Sequence, residues 1–304
     1  MRLFNHKMRS FFIVAALFFA LFDVATAFAK ENTEEPWWQS ERIVATGHGF
    51  PADYAENPGQ AKILAKQAAM LDAYKNLAEL ASGIRITADE TVTKGEVEAV
   101  IVGAKTESET YDEYGNCTVK VSVPLYGIGN SFTDIVFPRL PKENFPSPPL
   151  TSGEKNESKT TENYTGLIID CSDITAGKEK AVLLPVLSPT IKDENNRIIY
   201  SAPKLERHTV IKTGMVGYVE KNNLNPVARA GNNPLVIKAV GLSKNSNPII
   251  SEADADMILY ANSKAHFLDN CKVIFVGHKV SSIMQLGANR NVNSGATSDD
   301  DGYV

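Results

Sequence analysis

Arg42-Ile-Val-Ala-Thr-Gly-His-Gly49, then the Asn57-Pro58 corner and an alanine-rich run to Ala81, is the stretch that decides the first half of this 304-residue chain. Asn57 is a good N-cap, because its side-chain oxygen can accept from a free first-turn amide, and Pro58 suits the first helical position, where no donor is needed. At about 100° per residue, Ile63, Leu64, Met70, Leu71, Tyr74, Leu77, Ala78 and Ala81 share an arc of roughly 140°. Lys62, Lys66, Asp72, Lys75, Asn76 and Glu79 lie outside it. That arc is expected to be buried, with Ala61, Ala65, Ala68, Ala69 and Ala73 letting a sheet approach closely and Gly83 supplying a left-handed stop.

The start of the chain reads as a secretory signal peptide over residues 1–29. Arg2, Lys7 and Arg9 precede the apolar run Phe11–Phe22, Asp23 breaks it, and Ala25-Thr-Ala27 and Ala27-Phe-Ala29 offer small-residue cleavage sites. The run is about a dozen residues, short of the roughly 20 that a spanning helix needs. No integral span is therefore expected after signal cleavage, and an uncleaved anchor is the alternative. Loss of residues 1–29 removes three basic residues and one acidic one, which moves the net charge from −5 to −7. An acidic chain without a basic block argues against nucleic-acid binding. With 43% hydrophobic residues the chain has the composition of a globular protein. Cys117, Cys171 and Cys271 form an odd set. Cys171 and Cys271 either pair or, with Cys117, stay as buried free thiols.

Residues 30–40 form an N-terminal extension that ends in Trp37-Trp38, a cap on the core edge or else an aromatic platform for a sugar. Gly47-His-Gly-Phe-Pro-Ala52 has the form of a dinucleotide-binding turn, yet Pro51 and the polar segment Asp53–Asn57 stand where a helix should begin. Ile84–Val92 is strand-like. Val102–Tyr111 and Cys117–Leu125 alternate around Asp112-Glu-Tyr-Gly115 and read as a hairpin. Residues 41–137 thus form an α+β domain. Five prolines and a polar run make 138–163 a linker.

The strand ending Ala45-Thr-Gly-His-Gly49, the alanine positions of the helix and Leu77-Ala-Glu-Leu-Ala-Ser-Gly-Ile84 carry a resemblance. This third of the chain resembles the Lpp-twenty lipoprotein family and the similar N-terminal domain of flagellar assembly protein T. The resemblance implies an envelope protein, linked to the flagellar basal body or the outer membrane. Those lipoproteins carry a lipobox Cys directly after the apolar run, whereas the first Cys here is Cys117.

Residues 164–281 are expected to form a second α+β domain, and the acidic 282–304 a disordered tail. Tyr164–Cys171 reads as a buried strand, and Ala181–Tyr200 as a hairpin with an Asx-rich turn. Pro234–Gly241 reads as another strand. Ser251-Glu-Ala-Asp254 opens a helix to about Leu268, followed by a last strand to Val276. This half resembles a C-terminal module that often follows such envelope domains. The fold expected is therefore α+β, as two small domains, each a mostly antiparallel sheet with a long helix on one face.

No nucleophile elbow, zinc-protease pair, phosphate loop or EF-hand is present in the sequence. No catalytic, cofactor-binding or metal residue is therefore assigned, and no cofactor. Asp170, at the end of a buried strand, is either a general base or metal ligand, or a carboxylate that accepts loop amides. The leading reading is a non-enzymatic periplasmic module that binds envelope or flagellar proteins. The alternatives are a periplasmic enzyme with a site near Asp170, and a small-ligand or glycan binder using Trp37 and Trp38.

Overall fold

The computed structural model describes residues 36–137, 163–222 and 227–281. The signal peptide, the acidic tail and, but for Asn163, the linker expected at 138–163 lie outside them. A one-turn helix α1 (Trp37–Ser40) leads into β1 (Arg42–Gly49), and α2 (Pro58–Ser82), α3 (Lys94–Val102), β2 (Lys105–Tyr111), β3 (Cys117–Pro124) and α4 (Phe132–Val136) follow. The three strands make an antiparallel sheet in the order β1-β3-β2. Its hairpin tip is closed by Asp112, whose carboxylate accepts from the Tyr114 and Asn116 amides at 3.0 and 2.9 Å.

Helix α2 starts as its sequence requires, with Pro58 in its first turn and the Asn57 side chain accepting from the Gln60 amide at 2.9 Å. Its buried face coincides with the expected arc only in part, at Leu77 and Ala81 with Met70 and Tyr74 partly covered. Ala65, Ala69, Ala73, Leu77 and Ala81 are buried, one every four residues, whereas Leu71 is 73% exposed and Ile63 59%. The cause lies on the strand. A Cβ on Gly47 would sit 2.6 Å from Ala73 Cα, and one on Gly49 2.5 Å from the Ala69 amide nitrogen. Only the small-residue ridge of the helix can come this close, so the wider residues are turned outward. Gly83 also differs, since its φ of −80° is right-handed.

Both edges of this sheet are guarded. On the outer side of β1, the Asp72 carboxylate accepts from the His48 amide at 2.9 Å and the Asn76 side chain donates to Thr46 O at 2.9 Å. On the other edge, β2 carries a bulge between Thr106 and Ser108 and the charges Lys105, Glu107 and Glu109. Such features discourage strand addition by another chain. They also reverse a contrast that the helical wheel suggests. Leu71→Ala should stay within about 0.5 kcal/mol, and Asn76→Ala should cost about 1 kcal/mol by stripping a partner from an edge carbonyl. Urea midpoints of the two variants check this, and a larger loss for Leu71→Ala would contradict the helix orientation.

The second half contains β4 (Gly166–Asp170), the short β5 (Thr175–Ala176), β6 (Glu179–Lys180) and β7 (Val182–Leu183), then β8 (Ile191–Asp193) and β9 (Ile198–Tyr200). Helix α5 (Arg207–Thr213), β10 (Gly217–Glu220), β11 (Pro234–Lys238), β12 (Gly241–Ser243), β13 (Asn247–Ile250), α6 (Glu252–Ala265), β14 (Val273–Gly277) and β15 (Lys279–Val280) follow. The α+β class holds. The expectation of a mostly antiparallel second sheet does not, because the central sheet, in the order β10-β14-β4-β11, pairs in parallel throughout. The continuous apolar runs Leu167-Ile-Ile169 and Val273-Ile-Phe-Val276 suit strands covered on both faces, as parallel strands are. Of the hairpin read over Ala181–Tyr200 only the part around the Asx-rich turn forms, as β8–β9 with Asp193 accepting from the Asn195 and Arg197 amides, while β7 pairs in parallel with β15. Ser251 caps α6 by accepting from the Asp254 amide at 3.1 Å, and left-handed His266 ends that helix.

The described residues from Trp37 to Ser281 form one compact unit, and the two halves meet through backbone as well as side chains. The Gly127 amide donates to Ile211 O at 2.8 Å, and Thr133 Oγ1 donates to the same carbonyl at 3.0 Å. The Leu187 and Ser188 amides donate to Arg85 O and Ile86 O at 3.0 and 2.7 Å. Ile84–Val92 therefore forms no strand of its own beyond an Arg85–Thr91 bridge, since its carbonyls are engaged by the other half. Buried residues of both halves belong to one continuous apolar cluster.

Tyr126 packs against Gly214 at this junction, and burial pushes its phenol up from an ordinary 10 to about 12. Cys171, buried beside Asp170, is likewise pushed up to about 12. Both groups are neutral in the folded state and ionise earlier when unfolded. Their preference for the fold is present below the unfolded values and is lost as pH rises toward 12. The urea midpoint should hold to about pH 9 and then fall, with a shallower fall for Tyr126→Phe.

Candidate functional site

In open parallel sheets, ligands favour the crevice beyond the carboxyl ends of the strands. Here that edge presents Asp170, Glu220, Lys238 and Gly277. Asp170 accepts from the Ser172 amide at 2.9 Å, and its carbonyl accepts from Ala239 N at 2.9 Å. The carboxylate thus organises its own loop, the second of the two roles its position suggested. Asp173, three residues on, lies 3.4 Å from Lys180 Nζ, 3.5 Å from Lys221 Nζ and 3.8 Å from Lys238 Nζ. Lys180 and then Lys221 hold its carboxyl below the usual carboxylate range. This is an exposed ion-pair cluster, worth little to stability and offering no proton donor and acceptor set for catalysis.

At the other end of the same sheet is a groove of about 300 Å³, where the chain enters β4 and α6 passes over it. Its lining includes Tyr164, Thr165, Met257, Tyr260, Lys264 and Lys272. Lys264 Nζ donates to Tyr260 Oη at 2.9 Å and stands 4.3 Å from that ring's centroid. None of these residues stands out in the sequence, because an isolated lysine or tyrosine on an amphipathic helix carries no signature of its own.

Trp37 and Trp38 meet edge to face, with ring centroids 5.7 Å apart and an interplanar angle of 87°. Both are half-buried against the core, and Trp38 Nε1 is buried without a partner. Crossed, partly covered rings fit the core-edge role better than a flat sugar platform. Gly47 and Gly49 face the α2 backbone, which accounts for them without a phosphate. His48, His208, His266 and His278 are exposed and scattered. No group of three potential metal ligands occurs among the described residues. All three cysteines are buried free thiols. No helix among the described residues is long and apolar enough to cross a membrane.

The parallel strands, their carboxyl edge and the α6 side of the groove belong to one segment, with Tyr164 and Thr165 just before it. Residues 166–279 match the family model of the second domain of Treponema pallidum Tp0624. The match begins at the first residue of β4 and ends in β15, so it spans the parallel sheet and leaves the α2 unit outside. No curated protein matches the chain.

A further surface feature lies on the first half. Phe50, Tyr54 and Tyr114 are 70%, 77% and 76% exposed. The β1–α2 corner and the hairpin tip that carry them adjoin, since a Cβ on Gly115 would lie 3.3 Å from Pro51 Cγ.

Proposed function

We propose that this protein is a non-enzymatic module of the bacterial cell envelope that binds a protein partner, in the setting of the flagellar basal body or the outer membrane. Its first half is read as akin to the Lpp-twenty and flagellar assembly protein T domains, and its location as periplasmic after cleavage near Lys30. The observation that carries this reading is the exposed aromatic end formed by Phe50, Tyr54 and Tyr114, on a sheet whose edges are blocked. Partners are then met by side chains, with Tyr rings supplying rigid contact area at low entropic cost. The commitment of Asp170 and Asp173 to neighbouring groups favours this reading over an enzyme.

The triple variant Phe50→Ser, Tyr54→Ser, Tyr114→Ser should keep its melting temperature, because these side chains are exposed. It should lose a discrete cross-link, formed in cells from a photoreactive residue at position 52, to an envelope protein identified by mass spectrometry. The same cross-link surviving in the variant overturns the docking end. An intact Met1 on membrane-bound protein overturns the periplasmic placement.

A further inference from the structure

We propose that the groove beside α6 binds a small amphipathic monocarboxylate, its apolar body against Tyr164, Met257, Tyr260 and Ala261 and its head met by Lys264 and Lys272. The inference does not rest on the assembly role, which concerns the other half of the chain. Among the described residues the lining is two phenol rings, a thioether, two alanine methyls, the Thr165 hydroxyl, the Asn163 amide and two ammonium groups, with no carboxylate. Lys264 is held by the phenol oxygen and ring face of Tyr260, contacts that carry no negative charge, so among the described residues its charge meets no counter-ion in the groove. A lysine in the last turn of a helix also complements the carbonyl end of that helix, which would explain Lys264 alone. It explains neither Lys272, which precedes β14, nor the aromatic walls that converge with it. A volume of about 300 Å³ stands at the lower end of ligand pockets, which points to a small molecule rather than a polymer. A positive, apolar-walled groove selects by charge as well as by shape, and a neutral or cationic analogue of the same body loses the ammonium contacts.

The test titrates the isotope-labelled full chain with 4-phenylbutyrate and with its neutral amide, followed by amide chemical shifts. The acid should shift Tyr164, Tyr260, Ala261 and Lys264 and bind at least tenfold more tightly than the amide. The double variant Lys264→Gln, Lys272→Gln should erase that preference with the melting temperature unchanged. Ala265→Trp, which fills the groove from an exposed position, should abolish binding. Equal affinity for acid and amide, shifts centred on Phe50 and Tyr54, an acid preference that survives the double variant, or no shifts at millimolar acid would each overturn the proposal.

Discussion

Gly47→Ala should unfold the first half or cost at least about 3–5 kcal/mol, a large share of the stability of an ordinary domain. The added Cβ would meet the backbone of α2, 2.6 Å from Ala73 Cα and closer still to the Ala73 nitrogen and Ala69 oxygen. Backbone cannot rotate away as a side chain can, so relief requires the helix to move off the sheet. That movement would strip contacts from Ala65, Ala69, Ala73 and Leu77, all fully buried, and from the core they join. Gly49→Ala should behave in the same way one turn earlier. Gly95→Ala is the control, since nothing lies within 4 Å of its Cβ position and the residue is exposed in the first turn of α3. It should add about 0.5–1 kcal/mol through helix propensity. Circular dichroism and urea unfolding of the three variants decide the matter, and equal midpoints for Gly47→Ala and the parent protein would refute the close approach.

Gly214→Ala should be nearly as damaging, at the place where the two halves join. Gly214 has φ 71° and ψ 163°, a region essentially closed to residues with a Cβ, which alone costs about 1–3 kcal/mol. The new methyl would also fall 2.5 Å from Tyr126 Cζ. Beside it, Arg229 donates to Thr213 O at 2.5 Å and to Gly214 O and Cys271 O at 3.2 Å, so the turn has little room to relax. Adding Tyr126→Ala should recover the steric part and leave the backbone part. A double-mutant cycle in urea should therefore show coupling, and strict additivity would place the strain elsewhere. Both halves share hydrogen bonds at this junction, so loss at Gly214 should appear as a single transition reported alike by Trp37 and Trp38 fluorescence and by far-ultraviolet dichroism.

Features governed by neighbouring residues were legible without a structure. Asn57-Pro58 and Ser251–Asp254 start helices, Asp112–Gly115 and Asp193–Asn196 close hairpins, and the α+β class follows from their order. In each, a side chain bonds to backbone only two to four residues away, so the information is local. The helical wheel of α2 held only in part because periodicity ranks residues by hydrophobicity, whereas the burial of this helix is set by how near a strand can come. Gly47 and Gly49 make that distance short enough for alanine and too short for leucine. The candidate sites were hidden for a related reason. Asp173 meets Lys180 from the hairpin that follows it and Lys221 and Lys238 from two distant segments, and the groove joins Tyr164 to Tyr260 and Lys272; apart from Lys180, these groups are brought together only by the crossovers of a parallel sheet. By itself the chain determined where its helices and turns begin, because capping and turn chemistry act over one turn. Which faces are buried, which strands run parallel and which charges share a groove were decided by the tertiary structure, because each depends on distances between residues far apart along the chain.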